Sequence, residues 1–431
     1  MELVLLSGGS GKRLWPLSNN VRSKQFLKIL KYNGKMESMV QRIYRQINET
    51  LNNVNITVST SESQKGILQK QLGNDINVVC EPSRRNTYPA ILLSAAYLYL
   101  EKNVDLNEVI TILPIDAYVE NDYFKNIELM NKIVKNSDTN ICLMGIKPTY
   151  PSEKYGYILN NNKIEFKEKP NKELAIKYIN NNALWNCGVF CTKLSYLVNL
   201  LKKEINFKNF EDIINNFDQI KKISFDYEVV EKEKKIRVIE YDGNWKDLGT
   251  WNTLTEEINQ KIGNAIMDNC NNTNILNELN IPILSLGIND SVIVASHDGI
   301  LISKKENSSL INKYTEFFND RVKYEERIWG RYIVLNETNN NLVKTLYIDK
   351  GKNISYQRHK YRDEVWTIVK GNGIFVLDDN EKNIKPNDVL YIPRMSKHSI
   401  KAIDDVEIVE VQLGEKFSED DIERFEYNWK N

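Results

Sequence analysis

The run Ser7-Gly8-Gly9-Ser10-Gly11-Lys12-Arg13 follows a short apolar stretch, Leu3-Val4-Leu5-Leu6, and Lys24 comes soon after it. A buried strand that empties into a glycine-rich turn leaves backbone N–H groups pointing outward, and glycine lets a ligand approach that backbone closely. With Lys12, Arg13 and Lys24 beside it, such a turn forms a cradle for phosphates. Two aspartates farther along suit a metal-bound triphosphate. Asp116 follows the apolar run Val109–Leu113, and Asp247 lies in Asn244-Trp245-Lys246-Asp247-Leu248-Gly249. Mg2+ takes one or two carboxylates and completes its shell with phosphate oxygens and water. Together these groups fit transfer of a nucleotidyl unit. N–H donors and cations hold a triphosphate, a divalent ion bridges its oxygens, and an incoming phosphate lines up with the α-phosphorus. Read alone, each aspartate is equally well a turn cap and the glycine run an ordinary turn.

These residues need a frame that brings them to one edge. Residues 1–256 alternate strand and helix signals. Strands are expected at Leu3–Ser7, Ile56–Ser59, Val78–Cys80, Val109–Leu113 and Ile141–Ile146, with helices at Met36–Glu49 and Pro89–Glu101. The alternation predicts an α/β domain with a mainly parallel sheet. Ligands bind at the carboxyl ends of such strands, where the glycine turn and Asp116 both fall. Residues 257–320 carry asparagine-rich turns between short apolar strands (Ile281–Leu286, Val292–Ala295, Ile300–Ser303) and predict a small β connector, a partial coil of strands. Residues 321–431 read as strand after strand, with turns at Lys350-Gly351-Lys352, Gly371-Asn372-Gly373 and Asp378-Asp379-Asn380, and predict a compact antiparallel β domain. Ser418 followed by Glu419 and Asp420 predicts a short helix over the tail.

Composition narrows the partners. Lys+Arg and Asp+Glu balance at 58 each over 431 residues, so no global field attracts nucleic acid or an anionic membrane. The first apolar run is broken at Gly8 and no stretch approaches the ~20 apolar residues of a membrane span, so a cytoplasmic protein is expected. The five cysteines (Cys80, Cys142, Cys187, Cys191, Cys270) lack metal-knuckle spacing. Cys187 and Cys191 lie in an apolar run and read as buried thiols in a reducing compartment.

Several blocks, in order, resemble the mannose-1-phosphate guanylyltransferase family of the long bacterial type. They include Gly8–Ser18 with Ser23–Phe26, Glu81-Pro82 with Arg85-Asn86-Thr87, Tyr155-Gly156-Tyr157, Glu168-Lys169-Pro170, Trp185-Asn186-Cys187-Gly188, Phe225-Asp226-Tyr227 and Trp245–Trp251. The resemblance implies a Rossmann-like, GT-A-like nucleotidyltransferase domain (1–256), a short β connector forming a partial left-handed β-helix (257–320) and a C-terminal cupin (321–431). It implies that GTP and mannose 1-phosphate give GDP-mannose and pyrophosphate with Mg2+, feeding polysaccharide or glycoconjugate synthesis. Ser7, Gly8, Gly9, Gly11, Lys12, Arg13, Lys24, Arg85, Asn86 and Thr87 would bind the nucleotide. Tyr155, Gly156, Glu168, Lys169 and Asn186 would bind the sugar phosphate, and Asp116 and Asp247 would hold Mg2+. Arg13, Lys24, Asp116 and Asp247 would carry the catalysis. Trp185 and Trp251 are expected in the core. Ser7, Lys12 and Ala117 depart from the family's usual Ala, Thr and His, which leaves another base, such as cytosine in a CTP-dependent enzyme, or another phosphorylated acceptor as the alternative.

Two of the three histidines, His359 and His398, fall in the C-terminal region. With Glu364 they resemble a cupin metal set able to hold Zn2+ or a similar ion. The family's second histidine, two residues after the first, is Tyr361 here, so one imidazole is lost. In bifunctional relatives this domain interconverts mannose 6-phosphate and fructose 6-phosphate. The other expectation is a structural cupin kept for subunit contacts, and a homodimer is expected through its exposed strand edges.

Overall fold

Apolar runs separated by short turns put nine strands into one sheet. In this computed structural model residues 1–8, 11–19, 21–161, 163–315, 317–318 and 321–429 are described, so Gly9 lies outside them. The chain divides into two compact units, residues 1–14 with 23–258 and residues 15–22 with 259–431.

In the first unit β1 (Glu2–Leu6), β2 (Asn55–Ser61), β3 (Asn77–Glu81) and β4 (Val109–Pro114) lie in the order β4-β1-β2-β3, all parallel. After the short strand β5 (Ala117–Val119), the sheet continues with β6 (Ile141–Ile146), β7 (Tyr157–Asn161), β8 (Lys163–Lys167), β9 (Leu184–Lys193) and β10 (Ile236–Tyr241). β9 runs antiparallel to β4, β6 and β7. The sheet is therefore mainly parallel, as expected, with β1–β4, β6, β7 and β10 running one way and only β8 and β9 running against them. Strand β4 (Val-Ile-Thr-Ile-Leu-Pro) is buried along nearly its whole length, because helices cover both faces.

Helix α1 (Met39–Thr50) starts three residues later than the sequence predicts. Lys35–Glu37 pairs with Leu30–Tyr32, and Ser38 then closes a capping box with Gln41. After α2 (Glu62–Leu72), α3 (Thr87–Leu100) starts two residues early, because Asn86 accepts the Thr87 N–H at 2.9 Å. α3 is apolar nearly all round and buried accordingly. α1 and α4 (Asp122–Asn136) pack in one hydrophobic cluster, and α3 with Leu194–Glu204 lies in the other. Trp185, Trp251, Cys187 and Cys191 are buried.

The second unit begins with a coil of short strands. Ala265–Asp268 stacks parallel on Ile283–Leu286, and Lys261–Ile262, Asn274–Asn277 and Ser291–Ser296 stack parallel in turn. The segment 15–22 belongs to this unit, and Arg22 forks onto Glu278 at 2.9 and 2.8 Å. His297 stacks on Tyr324. Beyond it two antiparallel sheets, of six and five strands, face each other over a core that includes Trp366, Phe375, Ile400 and Ile408. The predicted tail helix is not formed. Ser418 does cap a turn, but that turn spans only Glu419–Asp421, and Ile422–Phe425 then becomes an edge strand on Tyr356–His359.

Candidate active site

The parallel strands end where the turn residues begin. Ser7 N–H donates to Ser59 O at 2.8 Å, and Gln25 Nε2 donates to Ser7 O at 2.7 Å, which pins the start of the turn. Gly11–Leu14 forms a single 3-10 turn, as does Lys24–Phe26.

Three cavities run in series along this carboxyl edge. The first, about 330 Å3, is lined by Gly8, Glu81, Arg85, Asn86 and Thr87. The second, about 300 Å3, shares Gly8 and Thr87 with it and adds Arg13, Lys24 and Asp116. The third, about 190 Å3, shares Asp116 with the second and adds Tyr155, Glu168, Asn186, Asp226 and Asp247. The chain thus strings a nucleotide-sized and a sugar-sized recess on either side of Asp116.

Asp116 and Asp247 meet through a local device. The strand β11 (Trp245–Asp247) pairs antiparallel with β5, setting Asp247 opposite Ala117 and hence next to Asp116. Gly249 leaves room for that carboxylate, since a Cβ on it would lie 2.9 Å from Asp247 Oδ1. Lys24 Nζ reaches both acids, 2.8 Å to Asp116 Oδ2 and 3.3 Å to Asp247 Oδ1. Burial alone would lower the Lys24 pKa and raise that of Asp116. The ion pairs outweigh it, so Lys24 is held above its usual value and Asp116 below. Two carboxylates already gripping one cation are a donor set that fits a hard divalent ion.

In the third cavity a bulge in β9 re-aims Asn186. The register with β6 shifts between Asn186 and Phe190, and Gly188 takes a φ of +76°, a region glycine enters freely. Asn186 Oδ1 accepts the Gly188 N–H at 3.1 Å and its Nδ2 donates to Asp226 Oδ1 at 2.7 Å. Burial, and then the neighbouring Glu168 carboxylate, push Asp226 up to about 7. Lys169, with a φ of +44°, pairs with Glu168 at 2.8 Å. Tyr155 packs edge-on to Trp185 and Trp245.

Not every predicted nucleotide residue points inward alone. Arg85 lines the first cavity, but its guanidinium also holds Asp218 (3.2 Å) and Ile220 O (3.0 Å). Thr87 Oγ1 accepts the Phe225 N–H at 2.9 Å. The sequence reading assigns no role to Glu81 and Asp226. Glu81 is 7% exposed in the first cavity, and burial raises it to about 7 against the opposing pull of Arg84. Their signal is present only as membership in motif blocks, since a lone acid after a strand has no diagnostic spacing.

In the C-terminal domain His359, Glu364 and His398 are buried with their donor atoms within 4.8 Å of one another. His398 Nδ1 lies 3.1 Å from Ser396 O; a carbonyl can only accept, so the ring proton is there. His398 Nε2 is then a bare lone pair, buried and without a hydrogen-bond partner, 3.4 Å from Glu364 Oε2. A cation between these two acceptors relieves their repulsion, so the cluster fits a metal ion. Tyr361 is 42% exposed and contributes nothing to it.

Two family models match the chain. "Nucleotidyl transferase" matches residues 2–263, and "Mannose-6-phosphate isomerase C-terminal" matches residues 318–427. Both groups typically use divalent metals. An Escherichia coli O157:H7 protein, mannose-1-phosphate guanylyltransferase 2, is 27% identical over 99% of this chain and 98% of its own. A mannose-1-phosphate guanylyltransferase of Salmonella muenchen is 28% identical over 98% of this chain and 97% of its own. Among solved structures, one from Thermus thermophilus, described as a mannose-1-phosphate geranyltransferase, superposes with a TM-score of 0.60 at 22% identity. It covers 73% of this chain and 98% of its own, which carries the fold.

Proposed function

We propose, for a chain that belongs to the nucleotidyl transferase family, that it joins GTP and mannose 1-phosphate to give GDP-mannose and pyrophosphate. Relatives of that name align over almost its whole length. The single observation that carries the chemistry is the meeting of Lys24, Asp116 and Asp247 where the second and third of three linked cavities join.

In this reading the guanine occupies the cavity of Glu81 and Thr87. A carboxylate there accepts from guanine N1–H and N2–H2 together, whereas cytosine offers only its N4 amino group as a donor on that edge. The triphosphate lies against Gly8 and the turn after it. Arg13 and Lys24 offset charge that builds on the α-phosphoryl oxygens and on the leaving pyrophosphate. Asp116 and Asp247 would hold Mg2+, which would supply positive charge to offset that of the phosphates when bound. Glu168, Asn186 and Asp226 hold the hexose hydroxyls, with Lys169 near the sugar-phosphate side. The sugar phosphate then attacks the α-phosphorus directly. It is already a competent nucleophile once positioned, so no covalent enzyme intermediate is needed.

We propose the cytoplasm as the compartment of the reaction. The five free cysteines suit a reducing compartment, and among the described residues no helix is long and apolar enough to cross a membrane. A homodimer is supported by the edge strand Val389–Ile392, whose Val389 and Tyr391 are exposed.

Pyrophosphate release measured across four nucleoside triphosphates and a panel of sugar 1-phosphates tests the reading. Turnover with GTP and mannose 1-phosphate is expected; turnover with CTP alone would reject it.

A further inference from the structure

Helix α2 buries a stripe that is polar at both ends. Gln64, Ile67, Leu68 and Gln71 are its buried residues, and their spacing puts all of them on one face. Helices usually fill such a stripe with aliphatic side chains. A buried amide costs free energy unless both of its ends are hydrogen-bonded. Both glutamines meet that condition. Gln71 Nε2 donates to Phe26 O at 2.9 Å, and its Oε1 accepts the Ser38 hydroxyl at 2.6 Å. Gln64 Nε2 donates to the Ser23 hydroxyl, and its Oε1 accepts the Thr60 hydroxyl at 3.2 Å.

The two amides grip one short turn at its opposite ends. Ser23 precedes the 3-10 turn Lys24–Phe26, and Phe26 closes it. Inside the turn the Phe26 N–H donates to Ser23 O at 3.0 Å and the Leu27 N–H to Lys24 O at 3.2 Å. Ser23, Gln25 and Phe26 are buried, and Gln25 ties the turn to Ser7 O. The backbone of Lys24 is therefore fixed on both sides by one helix. The lining of the three cavities includes Lys24 and neither of the α2 amides.

We infer that Gln64 and Gln71 are positioning residues that set the aim of Lys24. The inference rests on the reading above, in which the Lys24 ammonium meets phosphoryl charge. In the free protein Asp116 and Asp247 hold that ammonium. Once it faces phosphoryl oxygens instead, its aim depends on where its backbone stands, because a flexible four-carbon stem carries any shift at Cα to the tip. A clamp on both flanks of the residue removes that freedom before substrate arrives, and a small misplacement of a charged group is costly in the transition state. This accounts for amides at two places where aliphatic side chains would serve the helix equally well.

The test compares Gln64→Met and Gln71→Met, each alone and combined with Lys24→Met, in the full-length protein. Methionine keeps the length and helix propensity of glutamine and removes both hydrogen-bonding ends. Each single change should lower kcat by about tenfold or more. The KM values for GTP and mannose 1-phosphate should stay within about twofold of wild type. In the Lys24→Met background the same changes should cost less than about twofold, because no ammonium is left to misplace. Circular dichroism and the thermal midpoint follow the fold. If Gln64→Met does not fold, Ser23→Ala removes the same hydrogen bond with a smaller cut and should give the same split between kcat and KM. Unchanged kcat in both amide variants would overturn the inference. So would a loss that persists undiminished in the Lys24→Met background. Wild-type kcat in Lys24→Met alone would instead reject the catalytic reading of Lys24, and the inference with it.

Discussion

Lys24 Nζ lies 2.8 Å from Asp116 Oδ2, and the same nitrogen lies 3.3 Å from Asp247 Oδ1. One ammonium thus neutralises two acids that would otherwise repel each other in a partly closed cleft. It also competes with any cation for those oxygens. Lys24→Met should therefore tighten Mn2+ binding to the nucleotide-free protein, measured by electron paramagnetic resonance. The same change should lower kcat by about 100-fold or more, because a cation aimed at developing phosphoryl charge is lost. Weaker Mn2+ binding in the variant would show that Lys24 does not compete for the acids.

Asp247 reaches the site only through the pairing of Trp245–Asp247 with Ala117–Val119. The pairing is made by backbone groups, so Asp247→Ala leaves it intact. Turnover should fall by at least about 100-fold, with the circular dichroism spectrum and the thermal midpoint close to wild type. Undiminished turnover would remove Asp247 from the metal site.

Glu81 sits so close to the turn that a Cβ at residue 8 would lie 3.2 Å from its Oε1. Burial raises its pKa from 4.5 to about 7. The folded protein therefore holds a proton that the unfolded chain has released. The stability this carboxyl carries is complete below about pH 4.5 and is lost as pH rises through 7, on the order of 3 kcal/mol in all. Binding of guanine has the opposite sign, since only the ionised carboxylate accepts two N–H donors. The kcat/KM for GTP should rise as pH goes from 6 to 8, while the thermal midpoint of the free protein falls. Glu81→Gln should flatten both profiles and reduce kcat/KM for GTP by about tenfold or more. A GTP profile that keeps its slope in the variant would assign the titration to another group.

The features legible in the sequence were those with local grammar. The glycine turn, the aspartate after an apolar strand and the Ser418 cap all declare themselves through neighbours one to four residues away. The reversed strand Leu184–Lys193 did not, because its direction depends on where the chain returns and not on its own residues. Ser418 predicted a cap correctly, but the cross-strand pairing of Ile422–Phe425 with Tyr356–His359 ended the turn after Asp421. Glu81 and Asp226 were invisible as site residues because single acids gain meaning only from what surrounds them.

Gly156 tests the sugar recess without removing any polar group from it. A Cβ at residue 156 would lie 2.5 Å from Phe166 Cζ and 2.6 Å from Glu168 Oε2. Phe166 is 4% exposed and held in the core cluster behind the sheet, so it cannot move aside easily. Glu168 is the freer of the two, being the end of a side chain paired with the half-exposed Lys169. Gly156→Ala should therefore push the Glu168 carboxylate away from the recess. If Glu168 holds a hexose hydroxyl, KM for mannose 1-phosphate should rise by about tenfold, while KM for GTP stays where it was, because the first cavity shares no lining residue with Gly156. Equal losses for both substrates would mean that the methyl group disturbs the sheet rather than the sugar recess, and an unchanged KM for the sugar phosphate would take Glu168 out of hexose recognition.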